Sequence, residues 1–219
     1  VFCYLFVGSK QAALIDTGYG FGNLEQTVRS VTDKPVVIIN THGHCDHTGG
    51  NAQFEEVCYI GEKDIALCQE HSEAAMRRDN AKRAENSMNF ETGETYNGLP
   101  EGFNLEEYCS RGTGTLQTVS EGTVFDLGGI TLKIYETPGH TQGGISVLYL
   151  EKNILFVGDA TGMFVWLFAK ETTDLNDLCR SRSKDVRIWM QFPTSAHIIV
   201  QFSNHHGTMR STISSNCIS

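Results

Sequence analysis

THGHCDHTGG, Thr41 to Gly50, follows directly on the apolar run Val36 to Ile39 and decides how this chain is read. It sets His42, His44, Asp46 and His47 within six residues. In an extended segment alternate side chains share a side, so His42, His44 and Asp46 are expected to converge while His47 turns in from the next bend. Imidazoles with a carboxylate form the donor set of a borderline divalent metal ion, Zn²⁺ by default, with Fe and Mn as alternatives. Gly43, Gly49 and Gly50 allow the backbone to fold tightly around such ligands. With this chain's composition, HxHxDH arises by chance in about 5 of 10,000 sequences of the same length. Solvated loop histidines capping a helix are the weaker reading.

The elements flanking the motif are strand-rich. Pro35 opens Val36 to Ile39, a continuous apolar run of the kind buried on both faces. Val1 to Val7 and Gln11 to Ile15 read as a hairpin around Gly8-Ser9-Lys10, closed by Asp16-Thr17-Gly18. Asn23 is a suitable N-cap for a short helix with Leu24, Val28 and Val31 on one side. Val57 to Ile60 reads as another strand, followed by a helix from about Glu62 to Glu85. The stretch Asn86 to Thr115 is rich in glycine and lacks apolar periodicity, so it reads as a loop or insertion over one face. Beyond it come Thr123 to Asp126, the alternating strand Ile130 to Thr137, and a hairpin of Ile145 to Leu150 with Asn153 to Val157. Only Leu175 to Arg182 looks helical between Met163 and Phe192. Strand-rich halves separated by helices point to a layered α/β architecture, two sheets with helices outside.

Composition narrows the function. At 219 residues one domain spanning 1–219 is expected, with 86–115 as its loop or lid insertion. The 17 Lys and Arg against 26 Asp and Glu leave a net charge of −9, which disfavours general nucleic-acid binding. No apolar run approaches the ~20 residues of a membrane helix. The chain starts at Val1 inside a strand-like run without an initiator Met, so preceding residues are expected. Seven scattered cysteines with no C-x-x-C pair favour a reducing, cytoplasmic setting over a disulfide framework.

Three later segments carry further candidate ligands. ETPGHTQGG places His140 just beyond the strand ending at Thr137, and ILFVGDAT places Asp159 just beyond Ile154 to Val157. SNHHG places His205 and His206 after a third strand, Ile198 to Val200. Each is a metal-competent side chain at the mouth of a buried strand, where sheet proteins build their sites. Any one of them alone is weak; the ordered set carries the weight.

In this order the chain resembles the metallo-β-lactamase superfamily almost end to end: Asp16-Thr17-Gly18 at a strand end, then His42 to His47, His140, Asp159 and a final His in a Gly-containing loop. That last place is a GHG-like triplet in the family and His205-His206-Gly207 here, so His206 matches it best. The resemblance implies an α/β fold, an αββα four-layer sandwich of the metallo-β-lactamase type with metals at one edge of the two sheets. It implies that His42, His44 and His140 hold a first divalent ion, Asp46, His47 and His206 a second, and that Asp159 bridges them. Two ions ~3.5–4 Å apart suit hydrolysis by a bridging hydroxide, with Asp46 as the acid/base partner. Asp16 takes an orienting or structural place behind the ligands, and Cys45 a packing one.

The implied activity is cleavage of an ester, thioester or lactone of a small molecule, with no nucleic-acid or membrane partner and a homodimer left open. The alternatives are a non-haem iron persulfide dioxygenase or other redox member of the same superfamily, and a phosphodiesterase. Hydroxyacylglutathione hydrolases share the motif, TPGHT and the GD segment. They carry Gly-Cys-Gly-Arg where this chain has Ala160-Thr161-Gly162-Met163, so glutathione is not marked as the leaving group. The aromatic and apolar residues Phe90, Tyr96, Leu99, Phe103 and Tyr108 make the insertion either a lid or aromatic wall over the metals, or a dimer contact or surface packing. Phe164, Trp166 and Phe168 are read as core.

Overall fold

The computed structural model describes residues 1–89, 92–161, 170–190, 197–199 and 212–214. The chain begins with a hairpin, β1 (Tyr4–Val7) and β2 (Ala12–Ile15), then α1 (Leu24–Val31), β3 (Val36–Ile39) and a single helical turn, α2 (Cys45–Thr48). β4 (Val57–Gly61), α3 (Ile65–His71) and α4 (Ala74–Glu85) follow. The insertion holds a small hairpin, β5 (Ser87–Met88) with β6 (Thr95–Tyr96), and the short α5 (Leu105–Ser110). β7 (Thr115–Val119), β8 (Val124–Asp126), β9 (Thr131–Glu136), β10 (Ile145–Tyr149) and β11 (Ile154–Phe156) lead to α6 (Leu175–Met190), β12 (His197–Ile199) and β13 (Thr212–Ser214).

Among the described residues the strands form two large sheets, ordered β1-β2-β3-β4-β7 and β13-β12-β11-β10-β9-β8. Their facing sides share one core: Ala13, Ile15 and Ile39 from the first sheet meet Leu132, Ile134, Val147 and Phe156 from the second. Side chains alternate along a strand, so Ala12, Leu14, Val36 and Ile38 point the other way, under Val28 of α1. Leu148 and Leu155 likewise leave the second sheet outward, against Ile188 of α6. Both faces of β2, β3 and β10 are therefore covered; β2 and β3 are apolar throughout, while β10 carries one buried polar residue, Ser146, whose hydroxyl pairs with that of Thr137 at 2.9 Å. The layers run helix, sheet, sheet, helix, as the αββα expectation requires.

Asn23 caps α1 as expected, its Oδ1 accepting from Gln26 N at 2.9 Å. Val31 departs from the expected apolar face. It is 63% exposed in the last turn, where the helix runs off the sheet. The continuous helix expected from Glu62 to Glu85 is broken at Ser72 and Glu73, where Glu73 turns extended. Arg77 Nε donates to the carbonyl of Ser72, which the break leaves outside the helical ladder. Thr115–Val119 is an unexpected strand at the sheet's edge, mostly polar because one side of it faces solvent. The helix expected over Leu175 to Arg182 extends to Met190. Phe90, Phe164, Trp166, Phe168, His205 and His206 lie outside the described residues.

Leu178, Ser181, Asp185 and Ile188 share the buried face of α6, spaced three and four residues apart. Asp185 is a carboxyl group on an otherwise sheet-facing stripe. Thr161 Oγ1 donates to its Oδ2 at 3.4 Å, and burial pushes its pKa up to about 6 despite the Thr161 and Ser146 hydroxyls and the charge of Lys184. A carboxyl raised in the folded state binds protons that the unfolded chain, at ~3.9, has released. Its contribution to stability is thus intact below pH 4, falls as pH rises, and is lost above pH 6. Asp185→Asn is expected to abolish this fall, gaining on the order of 2–3 kcal/mol relative to wild type between pH 4 and pH 7.5. Urea unfolding at both pH values checks it; a pH-independent difference between the proteins refutes it.

Candidate metal centre

Four strand ends build the site. β2 and β3 are parallel neighbours in register Ile15↔Ile39, so Asp16 and the segment Asn40 to His42 leave the sheet side by side. β9 and β11 both pair antiparallel with β10, so His140 and Asp159 emerge from one edge of the second sheet. Ile145 N donates to Thr41 O at 2.8 Å and joins the two edges.

His42, His44 and His140 converge. His42 Nε2 lies 3.1 Å and His140 Nε2 3.0 Å from His44 Nδ1. Ligands of a tetrahedral ion at 2.0–2.1 Å stand roughly 3.3 Å apart, so three nitrogens at this spacing fit one ion between them. Burial first, and then the neighbouring imidazoles of His47, His44 and His140, hold the His42 pKa well below the ordinary value. A neutral ring is the form that binds metal.

His47 sits on the other side of His42, the two ring centroids 4.0 Å apart. Its Nδ1 lies 2.8 Å from Asp16 Oδ2, which uses one ring nitrogen as a donor and leaves Nε2 facing inward. That Nε2 is buried without a hydrogen-bond partner among the described residues, 3.5 Å from Asp159 Oδ1 and 3.7 Å from Asp46 Oδ2. Burial alone would lower the pKa of His47. The carboxylates of Asp16, Asp46 and Asp159 outweigh it and hold the pKa well above the usual value. A buried nitrogen flanked by carboxylates requires a positive charge there, and a metal ion supplies it as well as a proton does.

Asp159 stands between the two groups, Oδ1 toward His47 and Oδ2 3.8 Å from His140 Nε2. Asp46 does not join His42 and His44 as the alternation predicted. The helical turn begins at Cys45 and swings Asp46 to the His47 side, where its side chain keeps 18% of its exposure. Burial pushes the Cys45 thiol up to about 11, which fits a packing role.

Asp16 holds these parts together from behind. Its Oδ1 accepts from Thr41 N at 2.7 Å and its Oδ2 from Thr41 Oγ1 at 2.8 Å. Thr41 Oγ1 in turn lies 3.2 Å from His42 Nδ1. Two neighbours were missed in the sequence. Glu171 Oε1 is 3.0 Å from His44 Nε2, so with His44 Nδ1 facing the other imidazoles the carboxylate fixes the ring's tautomer. His71 stacks on His44 at 5.1 Å and accepts at Nδ1 from Cys45 N. Glu171 falls in a stretch without periodicity, and His71 is an isolated histidine in a helix; neither gave a signal.

The Metallo-beta-lactamase superfamily profile matches residues 1–191. The chain belongs to that superfamily. Bovine acyl-coenzyme A thioesterase MBLAC2 is 27% identical over 197 residues, covering 80% of this chain and 64% of the bovine protein. Hydroxyacylglutathione hydrolase GloC of Haemophilus influenzae is 29% identical over 157 residues, covering 68% and 61% respectively. The chain thus spans a little under two thirds of the length of these relatives. Among solved structures, TTHA1623 in a di-iron-bound form superposes with a TM-score of 0.61 over 98% of this chain and 89% of that one, at 18% identity. That likeness is one of fold. Divalent metal binding is typical of the superfamily, and the His and Asp groups described above fit it.

Asp16 offers a direct check on the His47 half of the centre. Asp16→Asn keeps the shape but puts an amide N–H where an acceptor is needed. Zn²⁺ affinity of the metal-free protein, read by isothermal titration, is expected to fall on the order of 10–100-fold. An unchanged affinity in a folded variant would mean that His47 needs no such support.

Proposed function

We propose that this chain is a metal-dependent hydrolase that cleaves a small acyl thioester at a dinuclear centre. His42, His44 and His140 would hold one divalent ion, and His47, Asp46 and His206 the other, with Asp159 available to both. The observation that carries this reading is the position of Asp159, one oxygen toward each histidine group. The thioester is chosen because the bovine and Haemophilus relatives are both named for thioester substrates.

When bound, the two ions would lower the pKa of water and polarise the acyl carbonyl. The protein's own groups then complete the reaction. Water adds its oxygen to the acyl carbon, the C–S bond breaks, and the electron pair leaves on sulfur. Asp46, more exposed than Asp159, takes the proton released by water and returns it to the departing thiolate. Glu171 and Asp16 keep the His44 and His47 rings from turning as charge develops.

Dialysis against a chelator is expected to abolish hydrolysis of a panel of acyl thioesters, and added Zn²⁺ or Mn²⁺ to restore it. Full turnover by metal-free protein would sink the reading. Plasma mass spectrometry separates it from oxidation chemistry: two Zn per chain supports hydrolysis, a single Fe supports an iron oxygenase.

The last ligand is decided between His205 and His206. Adjacent side chains in an extended or turn segment point apart, so only one reaches the second ion. His206→Ala is expected to lose one equivalent of metal, and His205→Ala to keep both, each measured by metal content after gel filtration. Loss from the His205 variant alone would shift the assignment by one residue.

A further inference from the structure

We propose that Asp64, a residue outside the ligand set, is the positioning residue of the three-histidine site, holding its two ligand loops at a fixed separation. This rests on the metal-centre reading above. Asp64 follows β4 on the turn into α3 and is 1% exposed. Its Oδ2 accepts from Gly43 N at 2.9 Å, the peptide between His42 and His44. The same oxygen accepts from Thr141 Oγ1 at 2.7 Å, the residue after His140, and Oδ1 accepts from Gly143 N at 2.7 Å. One carboxylate therefore ties the motif loop of the first sheet to the His140 loop of the second.

The surroundings are shaped for this contact. A Cβ on Gly43 would stand 2.8 Å from Asp64 O, and one on Gly143 would stand 2.5 Å from Asp64 N and 2.8 Å from its Cβ. Both loops reach the carboxylate only because they carry glycine there. Burying a carboxylate is costly, and an apolar residue of similar size would fill the space. What only a carboxylate supplies is two acceptor oxygens facing donors from separate loops. His42, His44 and His140 ride on those loops, so their 3.0–3.1 Å nitrogen spacing depends on the distance that Asp64 sets.

Asparagine at this position keeps one acceptor and presents a donor with the other. In either orientation of the amide, the peptide N–H of Gly43 or of Gly143 is left facing N–H, and one loop must move. Thr141→Val is the milder variant, removing one hydrogen bond while leaving the carboxylate. The test is Co²⁺ titration of chelator-treated wild type, Asp64→Asn and Thr141→Val, read as visible ligand-field absorption, with circular dichroism and thermal unfolding of the metal-free proteins alongside. Asp64→Asn is expected to weaken binding of the first Co²⁺ on the order of 10–100-fold and to change the absorption of the loaded site. Thr141→Val is expected to shift both in the same direction by less.

A wild type that binds no Co²⁺ overturns the metal-centre reading itself. A wild type that binds, beside variants with unchanged affinity and spectrum, overturns the role of Asp64 alone. Lowered thermal stability with an unchanged spectrum also overturns it, because that is what a purely structural carboxylate would give. Should Asp64→Asn fail to fold, Thr141→Val decides by the same two readings.

Discussion

The Asp16 carboxylate is the constraint around which the site edge forms. It accepts from Thr41 N, Thr41 Oγ1 and His47 Nδ1, binding the end of β2 to Thr41, two residues beyond β3, and to the ring whose Nε2 faces Asp46 and Asp159. Its backbone pays no small cost: φ is 58°, in the left-handed region where a non-glycine residue loses about 1–3 kcal/mol. Hydrogen bonds to an ionised group contribute about 1.5–3 kcal/mol each, so three of them outweigh the strain. The carbonyl of His47 is tied from the same side, by Thr17 N at 2.8 Å, Thr17 Oγ1 at 3.1 Å and Asn40 Nδ2 at 3.2 Å. Backbone and ring of His47 are thus both fixed before any ion arrives.

This fixing explains how a six-residue motif spans two ligand groups. His42 and His44 lie on the bent segment before the helix, His44 itself with extended backbone, while α2 begins at Cys45 and rotates Asp46 and His47 to the far side of His42. The change to helical backbone inside the motif divides its metal-competent side chains between two groups, His42 and His44 with His140, and Asp46 and His47 with Asp159. A motif extended throughout would have put Asp46 with His42 and His44 and left His47 alone.

That division also marks what could be read from the residues. The layered α/β architecture was legible because Val36–Ile39 is apolar on both faces, and a strand with no polar side has to be covered twice; the αββα order came from the family resemblance. The residues that meet at the candidate site, His42, His44, Asp46, His47, His140 and Asp159, were legible because His, Asp and Gly recur at strand ends. The interior of the motif was not, since alternation assumes a strand and gives no warning of a helical turn. Thr115–Val119 escaped because an edge strand need not be apolar. Asp64 and Glu171 escaped for a different reason: each acts on residues far along the chain, Asp64 on Thr141 and Glu171 on His44, and no local pattern encodes such a partner.

The insertion belongs to the same class of long-range dependence. Phe103 and Tyr108 meet Phe21 in a buried aromatic cluster, and Tyr108 Oη donates to Tyr19 O at 3.1 Å. Arg77, 1% exposed, lies with its guanidinium 5.0 Å from the Tyr108 ring centre and donates to Gly49 O and Gly112 O. Among the described residues it has no carboxylate partner, so its charge is met by backbone carbonyls and an aromatic face. Gly49 closes α2 and Gly112 belongs to the insertion, which makes Arg77 the link between the ligand-bearing turn and the inserted segment. The described aromatic residues Phe103 and Tyr108 pack inside the chain, against the loop after Asp16. The insertion then restrains Tyr19 to Phe21, and hence the strand end on which Asp16 is strained.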